Sequence, residues 1–141
     1  MNMLLPILSL FSLLILPVSA KPLSNFEILK IVDGDTVKII YPGLPPNLNK
    51  LSVRVYGIDT PEKGWRAECE SERQLAIKAS KLTQDKISNA HAVYFDIMKW
   101  GKFGGRFIGR ISIDGQDLGD MLIEKGYARP YFGDKKKSWC N

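Results

Sequence analysis

Leu51-Ser52-Val53-Arg54-Val55-Tyr56-Gly57-Ile58-Asp59-Thr60-Pro61-Glu62 reads as a strand that runs into an acidic turn. Leu51, Val53 and Val55 alternate with Ser52, Arg54 and Tyr56, the period of a strand with one buried face. Arg54 therefore projects from the side opposite the aliphatic residues. Gly57 ends the strand, and Asp59-Thr60-Pro61 turns the chain. An arginine, two carboxylates and a turn proline thus fall within one short stretch.

Upstream, Asn25 to Ile31 and Thr36 to Tyr41 are expected to be strands flanking a tight tip, Asp33-Gly34-Asp35, where glycine can adopt a positive φ. The run Pro42-Gly43-Leu44-Pro45-Pro46-Asn47 cannot continue a strand and is a loop. Downstream, Glu68 to Ala90 has no internal Gly or Pro and predicts the longest helix. Its apolar stripe is Leu75, Ala79 and Leu82, broadened by Ala76, Thr83, Ile87 and Ala90. Glu68, Glu70 and Glu72 fall in its first turns, where the helix dipole favours acids.

Ala92 to Met98 and Phe107 to Ile113 alternate as strands around a basic, glycine-rich loop, Lys99 to Gly105. A short helix is expected over Leu118 to Lys125, stopped by Gly126. The tail contains Lys135-Lys136-Lys137 and ends near Cys140. There is no internal repeat and no second domain. Five short strands, a long helix before the fourth and a short one after the fifth fit a mainly β architecture with helices (α+β), a five-stranded OB-fold barrel.

Residues 1–20 read as a leader outside the fold. Leu4 to Val18 is apolar apart from two serines, and Val18-Ser19-Ala20 has the small-x-small form of a signal-peptidase site. Prolines at 6 and 17 leave the run short of the about 20 apolar residues of a membrane span. Met1-Asn2-Met3 lacks Lys and Arg, which leaves a membrane-anchored N-terminus as the other reading. Export, to a periplasm or out of the cell, makes a Cys69–Cys140 disulfide the expectation. Closing a loop of about 70 residues stabilises by roughly 4 kcal/mol in the chain-entropy model. Two cysteines and one histidine fall short of a structural zinc set. The formal charge of +5 favours polyanionic partners.

The chemistry rests on Asp35, Asp59 and Glu62 with Arg54 and Arg106. Taken singly, the aspartates are ordinary turn-formers, and the glutamate and strand arginines ordinary solvated charges. Brought together, the carboxylates repel unless a cation balances them, and an oxygen-liganded Ca²⁺ or Mg²⁺ is the natural partner. Guanidinium forks bind phosphate oxygens bidentately. Such a group could stabilise phosphoryl transfer while a carboxylate orients or deprotonates water. The EF-hand spacing is absent, and so is a Ser-His-Asp set. His91, the single histidine, sits at a strand start and is read as structural.

These residues resemble the staphylococcal nuclease (thermonuclease) family. The segments are Val32-Asp33-Gly34-Asp35-Thr36-Val37, Val53-Arg54-Val55, Ile58-Asp59-Thr60-Pro61-Glu62, Gly105-Arg106 and Gly126-Tyr127-Ala128, in family order. The resemblance implies an OB-fold domain over 21–141 and a secreted, calcium-dependent nuclease that leaves 3′-phosphate ends on DNA or RNA. It implies Asp35, Asp59 and the Thr60 carbonyl as calcium ligands, with Asp33 an acid beside them. Glu62 is implied to act on the attacking water, and Arg54 and Arg106 on the phosphate.

The chain departs from the family's type member in four places. The loop after Glu62 is shorter. Lys102-Phe103-Gly104-Gly105-Arg106 carries an extra residue, with Lys102 a candidate phosphate contact. Tyr131 and Phe132 are candidates for base stacking. The last helix has no counterpart, and the Cys69–Cys140 bridge is expected to anchor the C-terminus instead. A monomer without stable membrane association is expected after the leader is removed. The alternative is a catalytically inactive OB-fold module that only binds nucleic acid or protein. Retention of Glu62 and both arginines, none of which builds a core, favours the enzyme.

Overall fold

Strands β1 (Glu27–Asp33) and β2 (Thr36–Ile40) form an antiparallel hairpin with Asp33 opposite Thr36. The computed structural model describes residues 26–140, and the expected leader lies outside them. The first strand runs two residues beyond its expected end at Ile31. Gly34 does not take the positive φ expected of it. Its role is close approach: a Cβ there would lie 2.7 Å from the Cβ of Ala79 on the long helix. The tip is therefore docked onto that helix, and Thr83 Oγ1 donates to the Gly34 carbonyl at 2.7 Å.

Strand β3 (Lys50–Val55) pairs antiparallel with β2, Thr36 facing Arg54. The strand expected through Gly57 breaks at Tyr56-Gly57, because Gly57 adopts φ 78°. A separate two-residue strand, β4 (Ile58–Asp59), follows. A 3₁₀ turn (Gly64–Arg66) leads into helix α1 (Glu70–Ser88). The helix buries Glu72, Ala76, Ala79 and Thr83. Ala76, Ala79 and Thr83 of the expected apolar face are thus its most buried members, and Leu82, Ile87 and Ala90 pack partly buried against the core.

Strands β5 (Val93–Trp100) and β6 (Arg106–Ile113) pair antiparallel, and the loop between them is shorter than expected. Phe107, Gly109, Ile111 and Ile113 all face inward, as their alternation predicts. Gly109 is required sterically, because a Cβ there would lie 2.3 Å from the Asp96 carbonyl oxygen. β6 also pairs parallel with β3, giving the sheet order β1-β2-β3-β6-β5. This mixed sheet curls into an OB-like half-barrel with two helices. Phe26, immediately before β1, meets Phe95 of β5 edge to face with centroids 5.2 Å apart.

β7 (Gln116–Asp117) folds back to pair antiparallel with the end of β6, and Asp117 caps helix α2 (Leu118–Glu124) by accepting from the Asp120 N–H. Gly126 ends that helix at φ 73°, as its placement predicts. Strand β8 (Arg129–Pro130) pairs with β4, Asp59 facing Arg129. The core holds Val37, Ile39, Val53, Val55, Ile111, Leu118 and Leu122, contributed by sheet and α2. Cys69 and Cys140 form a disulfide.

Candidate active site

Strand register brings the two arginines to one face. Ser52 stands opposite Arg106 across the parallel β3–β6 pair. Ser52 and Arg54 are two residues apart, so all three side chains leave the same side of the sheet. Val53 and Phe107, opposite each other on the other side, are buried. The arginine face borders a cleft of about 680 Å³. Asp35, Thr36, Thr60, Glu62, Lys102 and Tyr131 also line it.

The acids meet at Arg54. Its Nη1 lies 3.0 Å from Asp35 Oδ2, and its Nη2 lies 3.7 Å from Asp59 Oδ1. Asp35 and Asp59 are almost wholly buried, at 2% and 6% exposure. Asp35 is oriented through its other oxygen, which accepts from Thr36 Oγ1 at 2.8 Å. Asp59 Oδ2 accepts from the Trp139 indole N–H at 3.2 Å, whereas its buried Oδ1 has no directed hydrogen bond. Two buried carboxylates that share the Arg54 guanidinium are the kind of oxygen ligands a hard cation takes. Thr60 is buried beside them.

Glu62 is half-buried on the cleft wall. Its carboxylate lies 3.2 Å from Arg66 Nε and 3.7 Å from Lys136 Nζ. The backbone N–H of Glu62 donates to Glu72 Oε1 at 3.0 Å, and that of Glu68 donates to Glu72 Oε2 at 2.7 Å. Glu72 is 3% exposed, so it is a buried clasp for the loop rather than one of several exposed acids responding to the helix dipole. Asp33 is paired with Lys63 at 3.4 Å and Arg66 at 3.3 Å.

Arg106 has a different setting. Its guanidinium stacks over Phe103, 5.3 Å from the ring centroid. Among the described residues, no carboxylate lies within ion-pair distance of it, so its donors are available to a ligand. Lys102 is exposed at the cleft mouth and Tyr131 is half-buried on its wall. Phe132 lies outside this cleft. It packs edge to face on Tyr56, in a neighbouring depression shared with Lys99 and Tyr131.

Sequence reasoning missed Glu72, Arg66, Lys136 and Trp139. Glu72 carried one signal, since a glutamate at the third helical position often reaches back to backbone N–H groups. Lys136 reads as part of a solvated basic run, yet its Nζ stands 2.5 Å from Asp59 Oδ1. The expected disulfide and the β4–β8 pair return the tail to Asp59, and no local pattern marks Lys136 as the residue that docks there.

The family model described as staphylococcal nuclease homologue matches residues 52–139. The chain is also similar to two proteins of Bacillus subtilis (strain 168), endonuclease YncB and the SPbeta prophage-derived endonuclease YokF. Each is 29% identical over 110 residues, 77% of this chain, covering 49% and 35% of those proteins. The chain thus spans half or less of the length of these relatives. The matched segment contains Arg54, Asp59, Glu62 and Arg106, and β2–β3 pairing carries Asp35 to the same cleft from just upstream. On this match, the chain belongs to the staphylococcal nuclease homologue family.

Proposed function

We infer that the chain is an exported, calcium-dependent nuclease that hydrolyses phosphodiester bonds of DNA and RNA with little sequence specificity and leaves 3′-phosphate ends. The observation that carries this reading is the convergence of Asp35, Arg54, Glu62 and Arg106 on one cleft, with Asp59 against Arg54. Family membership and the endonuclease names of the two relatives support it. The low sequence specificity inferred here follows from aromatic faces such as Tyr131, which accept any base.

Asp35, Asp59 and Thr60 would hold the calcium ion. When bound, it supplies charge neutralisation at the phosphoryl oxygens and acidifies a coordinated water. Arg106 binds a non-bridging phosphate oxygen with donors that no carboxylate among the described residues engages. Arg54 trades its contacts with Asp35 and Asp59 for a second phosphate contact. Glu62 accepts a proton from the attacking water and aligns it with phosphorus, while Arg66 holds its carboxylate in place. Water then attacks opposite the 5′ oxygen, which leaves with a proton, and phosphate stays on the 3′ side.

Incubation of plasmid DNA and of single-stranded RNA with purified protein tests this, with calcium and then with a chelator. Calcium-dependent loss of both, with 3′ ends that a nucleotide-adding polymerase cannot extend until a 3′ phosphatase acts, is the expected result. Binding without cleavage would favour the inactive module. N-terminal sequencing of the exported protein is expected to begin at Lys21.

A further inference from the structure

The tail from Asp134 onward carries three lysines, and of these only Lys136 is ion-paired to a carboxylate among the described residues. Lys136 Nζ stands 2.5 Å from Asp59 Oδ1 and 3.7 Å from Glu62 Oε1. It therefore bridges an acid of the inferred cation site and the acid assigned to the water. A solvated lysine loses rotamer entropy on docking, so the tail must hold it.

Several contacts do so. The Cys69–Cys140 disulfide ties the end of the tail to the start of α1. Ser138 Oγ donates to Glu68 Oε2 at 2.9 Å. Arg129 donates to the Ser138 carbonyl at 2.9 Å and lies 3.6 Å from the Trp139 ring centroid. Trp139 in turn donates to Asp59 Oδ2. The oxygen that Lys136 faces is the one that is buried and lacks a directed hydrogen bond. Its ammonium balances the charge there.

We propose that Lys136 is a built-in competitor for the divalent cation, its ammonium covering the anionic face that Asp59 would turn to the ion. This rests on the cation site inferred above. A tethered group competes at an effective concentration set by its tether, here shortened by the disulfide. The ion's apparent affinity falls by the fraction of molecules in which the lysine is undocked. If about one molecule in ten is undocked, apparent binding weakens about tenfold. The site would then load only where the cation is plentiful.

Calorimetric titration of the full chain with Ca²⁺ tests this, alongside Tb³⁺ luminescence excited through Trp139. Lys136→Met is expected to tighten the Ca²⁺ Kd about tenfold. Lys135→Met, on the same tail without an acid partner, should change it less than about twofold. Cys69→Ser/Cys140→Ser should tighten it in the same direction, with no further gain on adding Lys136→Met. Should the serine variant fail to fold, the two lysine variants decide the question alone. An unchanged or weaker Kd in Lys136→Met overturns the proposal. So does an equal shift in Lys135→Met, which marks a general charge effect. If wild type and Lys136→Met bind neither ion, and Asp59→Asn behaves alike, the cation site itself is wrong and the competitor falls with it.

Discussion

Glu62 and Arg106 line the cleft with little part in the core, whereas Glu72 is enclosed by the backbone it holds. Glu62→Gln and Arg106→Ala are each expected to lower turnover by roughly 10² or more while leaving the melting temperature nearly unchanged. Steady-state kinetics beside thermal melts check this, and normal turnover in Arg106→Ala would mean that the extra residue in its loop has been misassigned. Glu72→Ala should behave in the opposite way. Removing its carboxylate leaves the Glu62 and Glu68 N–H groups without their acceptor, at a cost of about 2–4 kcal/mol. At about 4 °C per kcal/mol for a chain of this size, a drop near 8–16 °C in melting temperature is expected. Glu72→Gln, which keeps one acceptor, should recover part of it.

At the scale of elements, the site depends on the β1–β2 tip resting on α1. The Gly34 carbonyl is buried and Thr83 is its donor. Thr83→Val keeps the shape and removes the donor, so it should cost about 1–3 kcal/mol. Because the adjacent Asp35 moves with the tip, affinity for the calcium ion proposed above should weaken in the same variant. Urea unfolding and calcium titration measure the two effects, and a loss of stability with unchanged affinity would show that Asp35 is held by Thr36 and Arg54 alone. Gly109 has an analogous role inside the sheet: the close pass of β5 over β6 has no room for a side chain. Neither glycine is needed for a left-handed turn, which is why turn chemistry alone misreads Gly34.

For the whole molecule, the disulfide and the β4–β8 pair close the tail over the acid turn. Reduction is expected to lower stability by up to roughly 4 kcal/mol, read as a lower melting temperature in the presence of a dithiol. The half-barrel and its core are made without the tail, so the transition should remain cooperative. A reduced protein with an unchanged melting point would mean that the tail adds nothing beyond its own contacts.

Alternation over residues 51–55 and 107–113 was enough to assign buried and outward faces, because strand periodicity is a local property of the chain. The arginines and acids at strand ends were legible for a related reason: charged groups at turns have little core role to play. Their convergence was not local. It required Ser52 to stand opposite Arg106 in a parallel pair, a register set by packing between strands far apart in sequence. The burial of Glu72 and the docking of Lys136 depend on partners that the chain brings near only after folding. The sequence by itself therefore determined which residues could do the chemistry. Tertiary structure alone decided which of them touch, since a buried charge takes its meaning from neighbours that no local pattern names.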